Sequence, residues 1–143
     1  MSYAGQELVG PGGFRLKLVK TGAETDGELL EMEASYAGGG LPPEHFHPSQ
    51  VENFEVLEGA VKAVIDGAEH RYAAGESFEI PAGTLHQMAG DGPARVRWEI
   101  RPALRTAEFF ERLYAALDPE TGDPAAIGAI LEEFGPEVQF TQN

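Results

Sequence analysis

The sequence predicts an all-β fold, a barrel or sandwich of roughly eight short strands, followed by a C-terminal pair of α-helices. Three observations carry this. Apolar and polar residues alternate with a period of two from Phe14 to about Pro102, the spacing of half-buried strands. The 143 residues include 18 glycines and 10 prolines, which suits frequent tight turns. After Pro102 the apolar period lengthens to that of a helix.

Taken in order, residues 1–13 end in Gly10-Pro-Gly-Gly13 and read as an N-terminal arm. Residues 14–103 read as the barrel and 104–143 as a helical extension. Phe14, Leu16 and Leu18 alternate with Arg15, Lys17 and Val19. Leu30, Met32, Ala34 and Tyr36 alternate with Glu31, Glu33 and Ser35. Gly38 to Pro43 is a break. Strands follow at His45–His47, Val51–Leu57 and Val61–Ile65, with turns at Glu58-Gly59 and Asp66-Gly67. Further strands fall at His70–Ala73, Ser77–Ile80, Leu85–Ala89 and Ala94–Arg101. In the last, Val96, Trp98 and Ile100 face one way and Arg95, Arg97, Glu99 and Arg101 the other. Phe109, Phe110, Leu113, Tyr114 and Leu117 then mark a helix that Thr106 would cap. A second helix begins at Asp123-Pro124, carries the stripe Ile127, Ile130, Leu131 and Phe134, and stops at Gly135-Pro136.

Three of the four histidines fall into one pattern with a glutamate. His45 and His47 are two apart, so on a strand both imidazoles point to one face. Glu52 lies on the next strand, on the face of Phe54 and Val56. His86 comes from a later strand, on the face of Met88. Three imidazoles and a carboxylate suit one divalent transition-metal ion (Fe, Mn, Ni, Cu or Zn). They do not suit Ca or Mg, which prefer oxygen ligands. Four protein ligands on an octahedral ion leave two positions open to water, substrate or dioxygen. Gly59 and the Pro81-Ala-Gly83 turn would aim these strands. His70 stands apart and reads as a surface residue. Met32, Phe54, Phe78, Met88 and Trp98 point inward on the same alternation and are candidates to line a substrate pocket.

The sequence resembles the cupin superfamily, carrying both of its motifs. The first is Gly39…His45-x-His47…Glu52…Gly59, the second Gly75…Pro81-x-Gly83…His86. The resemblance covers roughly residues 35 to 100 and implies a small jelly-roll β-barrel with His45, His47, Glu52 and His86 as metal ligands. One position departs. The family often has asparagine four residues after the second-motif histidine, and here it is Gly90.

Composition narrows the partners. A net charge of −14, from 24 acidic and 10 basic residues, argues against nucleic acid and against an anionic membrane. The absence of cysteine excludes disulfides and thiolate ligands. No apolar stretch approaches the ~20 residues of a spanning helix. Residues 1–8 show no basic segment followed by an apolar run, so the expectation is a cytoplasmic protein. The leading functional expectation is a metal-dependent, dioxygenase-like oxidoreductase acting on a small organic molecule, with Glu52 as ligand or as general base. A non-redox isomerase or epimerase of anionic substrates would want inward lysine or arginine, which the alternation does not supply. A non-catalytic small-ligand binder is the third reading. A homodimer, paired through sheet edges and terminal segments, is expected from the resemblance and from the need to cover edge strands.

Overall fold

The computed structural model describes residues 2–141. Two antiparallel sheets face each other in a jelly-roll arrangement, with helices at the C-terminal end. The first sheet has six strands in the order β1-β2-β3-β10-β5-β8. They are β1 (Glu7–Val9), β2 (Arg15–Lys20), β3 (Leu30–Tyr36), β10 (Ala94–Arg101), β5 (Val51–Glu58) and β8 (Ser77–Ile80). The second has five, in the order β11-β4-β9-β6-β7. They are β11 (Gln139–Phe140), β4 (His45–Phe46), β9 (His86–Gly90), β6 (Ala60–Ile65) and β7 (Ala68–Ala73).

The period-two alternation decides which side chains meet between the sheets. Leu16 and Leu18 of β2, Leu30, Met32 and Ala34 of β3, and Val96, Trp98 and Ile100 of β10 are all buried. Their polar neighbours form an outer ladder in which Arg95 pairs with Glu33 and Glu58, and Arg97 with Glu55. These pairs are exposed and add little stability. On β5 the same alternation buries Glu52 beside Phe54 and Val56. A buried carboxylate must find a partner, and it does so at the site described below.

Gly59 turns β5 into β6 with φ +72°. A Cβ there would stand 2.3 Å from the Pro93 carbonyl oxygen, so no side chain fits. Gly83, at φ +80°, makes the turn into β9, and its N–H donates to the His47 carbonyl at 2.8 Å.

Several expectations need correction. There are eleven strands among the described residues rather than about eight. The supposed arm contributes β1, which pairs with β2. A short helix α1 (Gly22–Thr25) was not anticipated, although Thr21 and Glu24 form its capping box. Thr106 does not cap α2 (Thr106–Leu117) but is its first residue, and its Oγ1 accepts from Gln50 Nε2 at 2.8 Å. A 3-10 turn at Pro124–Ala126 leads into α3 (Ile127–Glu133), with Asp123 accepting from the Ala125 N–H. No helix among the described residues is long and apolar enough to cross a membrane.

Candidate metal centre

Strand register assembles the four predicted ligands. His45 on β4 stands directly opposite His86 on β9. His47 follows one residue after β4, and its face is shared with His45. The second sheet therefore supplies all three imidazoles, and their ligating nitrogens lie within 4.8 Å of one another. Glu52 reaches them from the facing sheet. Its Oε1 is 2.9 Å from His86 Nε2 and 3.2 Å from His47 Nε2. Glu52, His47 and His86 are at most 5% exposed.

Each imidazole is oriented from behind. His45 Nδ1 lies 3.1 Å from the Pro43 carbonyl, His47 Nδ1 2.8 Å from that of Glu137, and His86 Nδ1 2.9 Å from that of Thr84. A carbonyl only accepts, so each Nδ1 carries the proton. In the neutral rings Nε2 is then a free lone pair, the form a metal needs. Glu52 is held in the same manner, since Trp98 Nε1 donates to its Oε2 at 2.8 Å.

This geometry poses an electrostatic problem that a cation answers. His47 Nε2 and Glu52 Oε1 are buried and have no hydrogen-bond partner. Two facing acceptors repel unless positive charge sits between them. In the metal-free protein the nearby Glu52 carboxylate favours a proton on His47. Burial acts to lower the His47 pKa, but Glu52 outweighs it and leaves His47 above its ordinary value. Burial pushes the Glu52 carboxyl up, and His47 and His86 more than reverse this, so it stays ionised. Burial and the neighbouring His86 push His45 down to about 4. A neutral His45, an ionised Glu52 and oriented lone pairs fit a divalent transition metal.

The ligands open onto a cavity of about 580 Å³. Of the predicted pocket residues, Phe54, Met88 and Trp98 line it. Met32 and Phe78 do not. Met32 is fully buried in the core, and Phe78 stacks on Tyr72 and Phe54 at the sheet edge. The α2 stripe closes the cavity with Phe109, Phe110, Leu113, Tyr114 and Leu117. Val138 and Phe140 complete that wall. Glu137 was missed as a supporting residue. It holds His47 through its backbone carbonyl, a contact that no side-chain pattern could reveal. His70 is exposed, as expected.

The cupin domain family matches residues 32–100. Residues 32–100 of the chain carry a cupin domain. This cupin is 35% identical over 95 residues to germin-like protein 5-1 of Oryza sativa subsp. japonica, a match covering 62% of this chain and 43% of that protein. It is 44% identical over 55 residues to oxidoreductase macE of Penicillium terrestre, covering 38% of this chain and 21% of that one. The chain thus spans less than half the length of these curated relatives. A solved structure described as a predicted oxalate decarboxylase, from Thermotoga maritima, superposes with a TM-score of 0.61 at 15% identity, covering 69% of this chain and 92% of that one. At that identity the likeness shows the fold alone.

Proposed function

We propose that this cupin is a metal-dependent oxidoreductase, dioxygenase-like in type, with one divalent ion of Fe, Mn, Ni, Cu or Zn on His45, His47, Glu52 and His86. Its substrate is a small organic molecule held in the aromatic cavity. One observation carries the reading. A buried carboxylate and three pre-oriented imidazoles converge at the wall of a mostly apolar cavity large enough for such a molecule. When bound, the ion supplies Lewis acidity and, if redox-active, an electron couple.

The remaining work falls to this chain's own groups. The three Nδ1–carbonyl bonds keep each Nε2 aimed inward. Trp98 fixes Glu52 Oε2, so Oε1 faces the imidazoles as a ligand. A general-base role for Glu52 would require breaking that bond, and a carboxylate held ionised this firmly is a weak base. The aromatic walls bind an apolar body and exclude water. No lysine or arginine lines the cavity among the described residues, which disfavours the reading as a non-redox enzyme of phosphorylated substrates. The names of the germin-like and oxidoreductase relatives agree with the proposal. Pairing as a homodimer belongs to the same reading. Val9, 58% exposed on the edge strand β1, supports it, and light scattering of the purified protein tests it.

The function is tested by elemental analysis of untagged protein purified without added metal, beside a His47→Ala control, followed by oxygen uptake with enolic and phenolic compounds. Near-stoichiometric Fe, Mn, Ni or Cu that disappears in the control, with oxygen consumption, supports the reading. Zinc alone moves weight to non-redox chemistry or a structural ion. A folded protein that refuses reconstitution overturns it.

A further inference from the structure

Gly90, where the second motif departs from the resemblance, has a neighbour that explains it. A Cβ at Gly90 would stand 2.5 Å from the Gly92 carbonyl oxygen and 2.7 Å from Tyr36 Cβ. The missing side chain leaves room for Tyr36, the last residue of β3, whose side chain lines the cavity. The Tyr36 ring meets Phe14 at 5.1 Å, and Phe14 meets Tyr114 of α2 at 5.9 Å. Gly10 makes room in the same way. A Cβ there would lie 3.1 Å from Phe14 Cδ2 and 3.4 Å from Tyr114 Cε1. Two glycines therefore admit one aromatic group of three rings at this end of the cavity.

Register separates this group from the ligands. Glu52 stands opposite Ile100 on β10, whereas Tyr36 stands opposite Ala94. The two rows are six residues apart along β10, about 20 Å of backbone at ~3.3 Å per residue. Tyr36 lines the cavity from that far row and Tyr114 lines it from α2, and Tyr36 lies near enough to Glu52 to feel its charge.

Neither tyrosine hydroxyl has a hydrogen-bond partner among the described residues. Three other polar groups of the lining away from the candidate ligands are already engaged. Thr106 Oγ1 accepts from Gln50, Glu137 Oε2 from the Arg105 N–H, and the Pro42 carbonyl from Gln87. Burial raises both phenol pKa values, and for Tyr36 the nearby Tyr114 and Glu52 add to the rise. Both stay neutral donors at working pH. Neither hydroxyl is among the buried unpartnered atoms, so both face open cavity space where a ligand acceptor can replace water.

We infer that Tyr36 and Tyr114 form a neutral hydrogen-bond-donating subsite, set apart from the metal ligands, that selects substrates carrying an uncharged oxygen acceptor at the end remote from the metal. The preferred substrate is then an aromatic or similarly flat molecule with a metal-binding hydroxyl at one end and a carbonyl, ether or hydroxyl oxygen at the other. An anionic group at the remote end finds no cation there. The metal-binding end of this assignment rests on the function proposed above.

The test uses three para-substituted phenols that share one anchor. They are 4-hydroxyacetophenone, 4-ethylphenol and 4-hydroxybenzoate, titrated calorimetrically into zinc-loaded protein. The acetyl compound should bind about 3- to 10-fold tighter than the ethyl compound for each hydroxyl engaged, and tighter than the carboxylate. In Tyr36→Phe with Tyr114→Phe the preference should fall to within about twofold, with 4-ethylphenol affinity and zinc content unchanged. Equal binding of the acetyl and ethyl compounds by the native protein, no binding of any probe, or a preference that survives in the double variant overturns the subsite. If zinc fails to load, the same titrations on metal-free protein separate the two ideas. A tyrosine-dependent preference there upholds the subsite while the metal reading falls.

Discussion

Replacing Trp98 by phenylalanine isolates what holds the carboxylate. The indole Nε1 donates to Glu52 Oε2 at 2.8 Å, and Glu52 is 1% exposed, so no bulk water can substitute. Phenylalanine keeps an aromatic body against Phe54 and Phe110, which stand 5.4 Å from the Trp98 ring. It lacks the donor and leaves a small gap. A hydrogen bond to a charged group contributes about 1.5–3 kcal/mol, and the gap adds about 1 kcal/mol. With a urea m-value of about 1–3 kcal/mol/M, the unfolding midpoint of the metal-free protein should fall by roughly 1–4 M. Circular dichroism is the probe, because Trp98 is the single tryptophan of the chain. Zinc affinity, measured against a chromophoric chelator, should weaken about 10- to 100-fold, as is usual when the partner of a ligand is removed. The gap alone would move stability but not affinity. A zinc affinity within about twofold of the native value would show that Trp98 does not orient Glu52.

Proton release on metal binding should come from His47 and not from His45. Glu52 holds His47 above its ordinary pKa, so the stability its proton lends the metal-free protein is lost as pH rises through that raised value. Zinc affinity should accordingly rise with pH over the same window. His45, pushed down to about 4, is already neutral there. In weakly buffered solution at about pH 7, His47→Gln should release fewer protons per saturating zinc than the native protein, and His45→Gln no fewer; the reverse ordering defeats the assignment. Gly59→Ala and Gly67→Ala form a matched pair, with φ +72° and +82°, but only the first meets an obstacle, the Pro93 carbonyl at 2.3 Å. Thermal melts should show about 1–2 kcal/mol of left-handed strain for Gly67→Ala and a clearly larger loss for Gly59→Ala. Ending the chain after Gly135 removes β11 and the Glu137 carbonyl behind His47. Zinc affinity should drop about tenfold or more, and an unchanged affinity would free His47 from that support.

The convergence of the four candidate ligands was legible because two local rules sufficed. A two-residue spacing places His45 and His47 on one strand face, and turn glycines fix where each strand begins. The same alternation located Ser77–Ile80 and Ala94–Arg101 to the residue. It failed where inward-facing is not the same as cavity-lining. Met32 and Trp98 are cross-strand neighbours on β3 and β10, yet only Trp98 reaches the open space. Period two cannot tell a filled position from an open one, since that depends on the facing sheet. The support of His47 by Glu137 was hidden for another reason. It is a backbone carbonyl 90 residues away in sequence, brought there by a two-residue strand too short to show a pattern. The Thr21-x-x-Glu24 capping box, by contrast, was readable as a helix start before the structure was seen.

The division of labour along the chain has a consequence for how far relatives inform on this protein. All four ligands, with Trp98 behind Glu52, lie inside residues 32–100, the stretch that matches the cupin domain family. Much of the cavity wall lies outside it, with Phe14 from before the domain and Phe109, Phe110, Leu113, Tyr114, Leu117, Val138 and Phe140 from after it. The matched stretch can therefore carry a metal site in common with other cupins, while the shape and polarity that a substrate meets are set by flanks the match does not reach. Within the matched stretch, Phe54, Met88 and Trp98 line the cavity beside the ligands, and Tyr36, given room by Gly90, adds to its wall. Exchanging residues 104–143 for the flank of another cupin should then change ligand preference and leave zinc stoichiometry intact. Loss of zinc on such an exchange would trace to the Glu137 carbonyl behind His47 or to β11, whose Phe140 pairs with and touches His45.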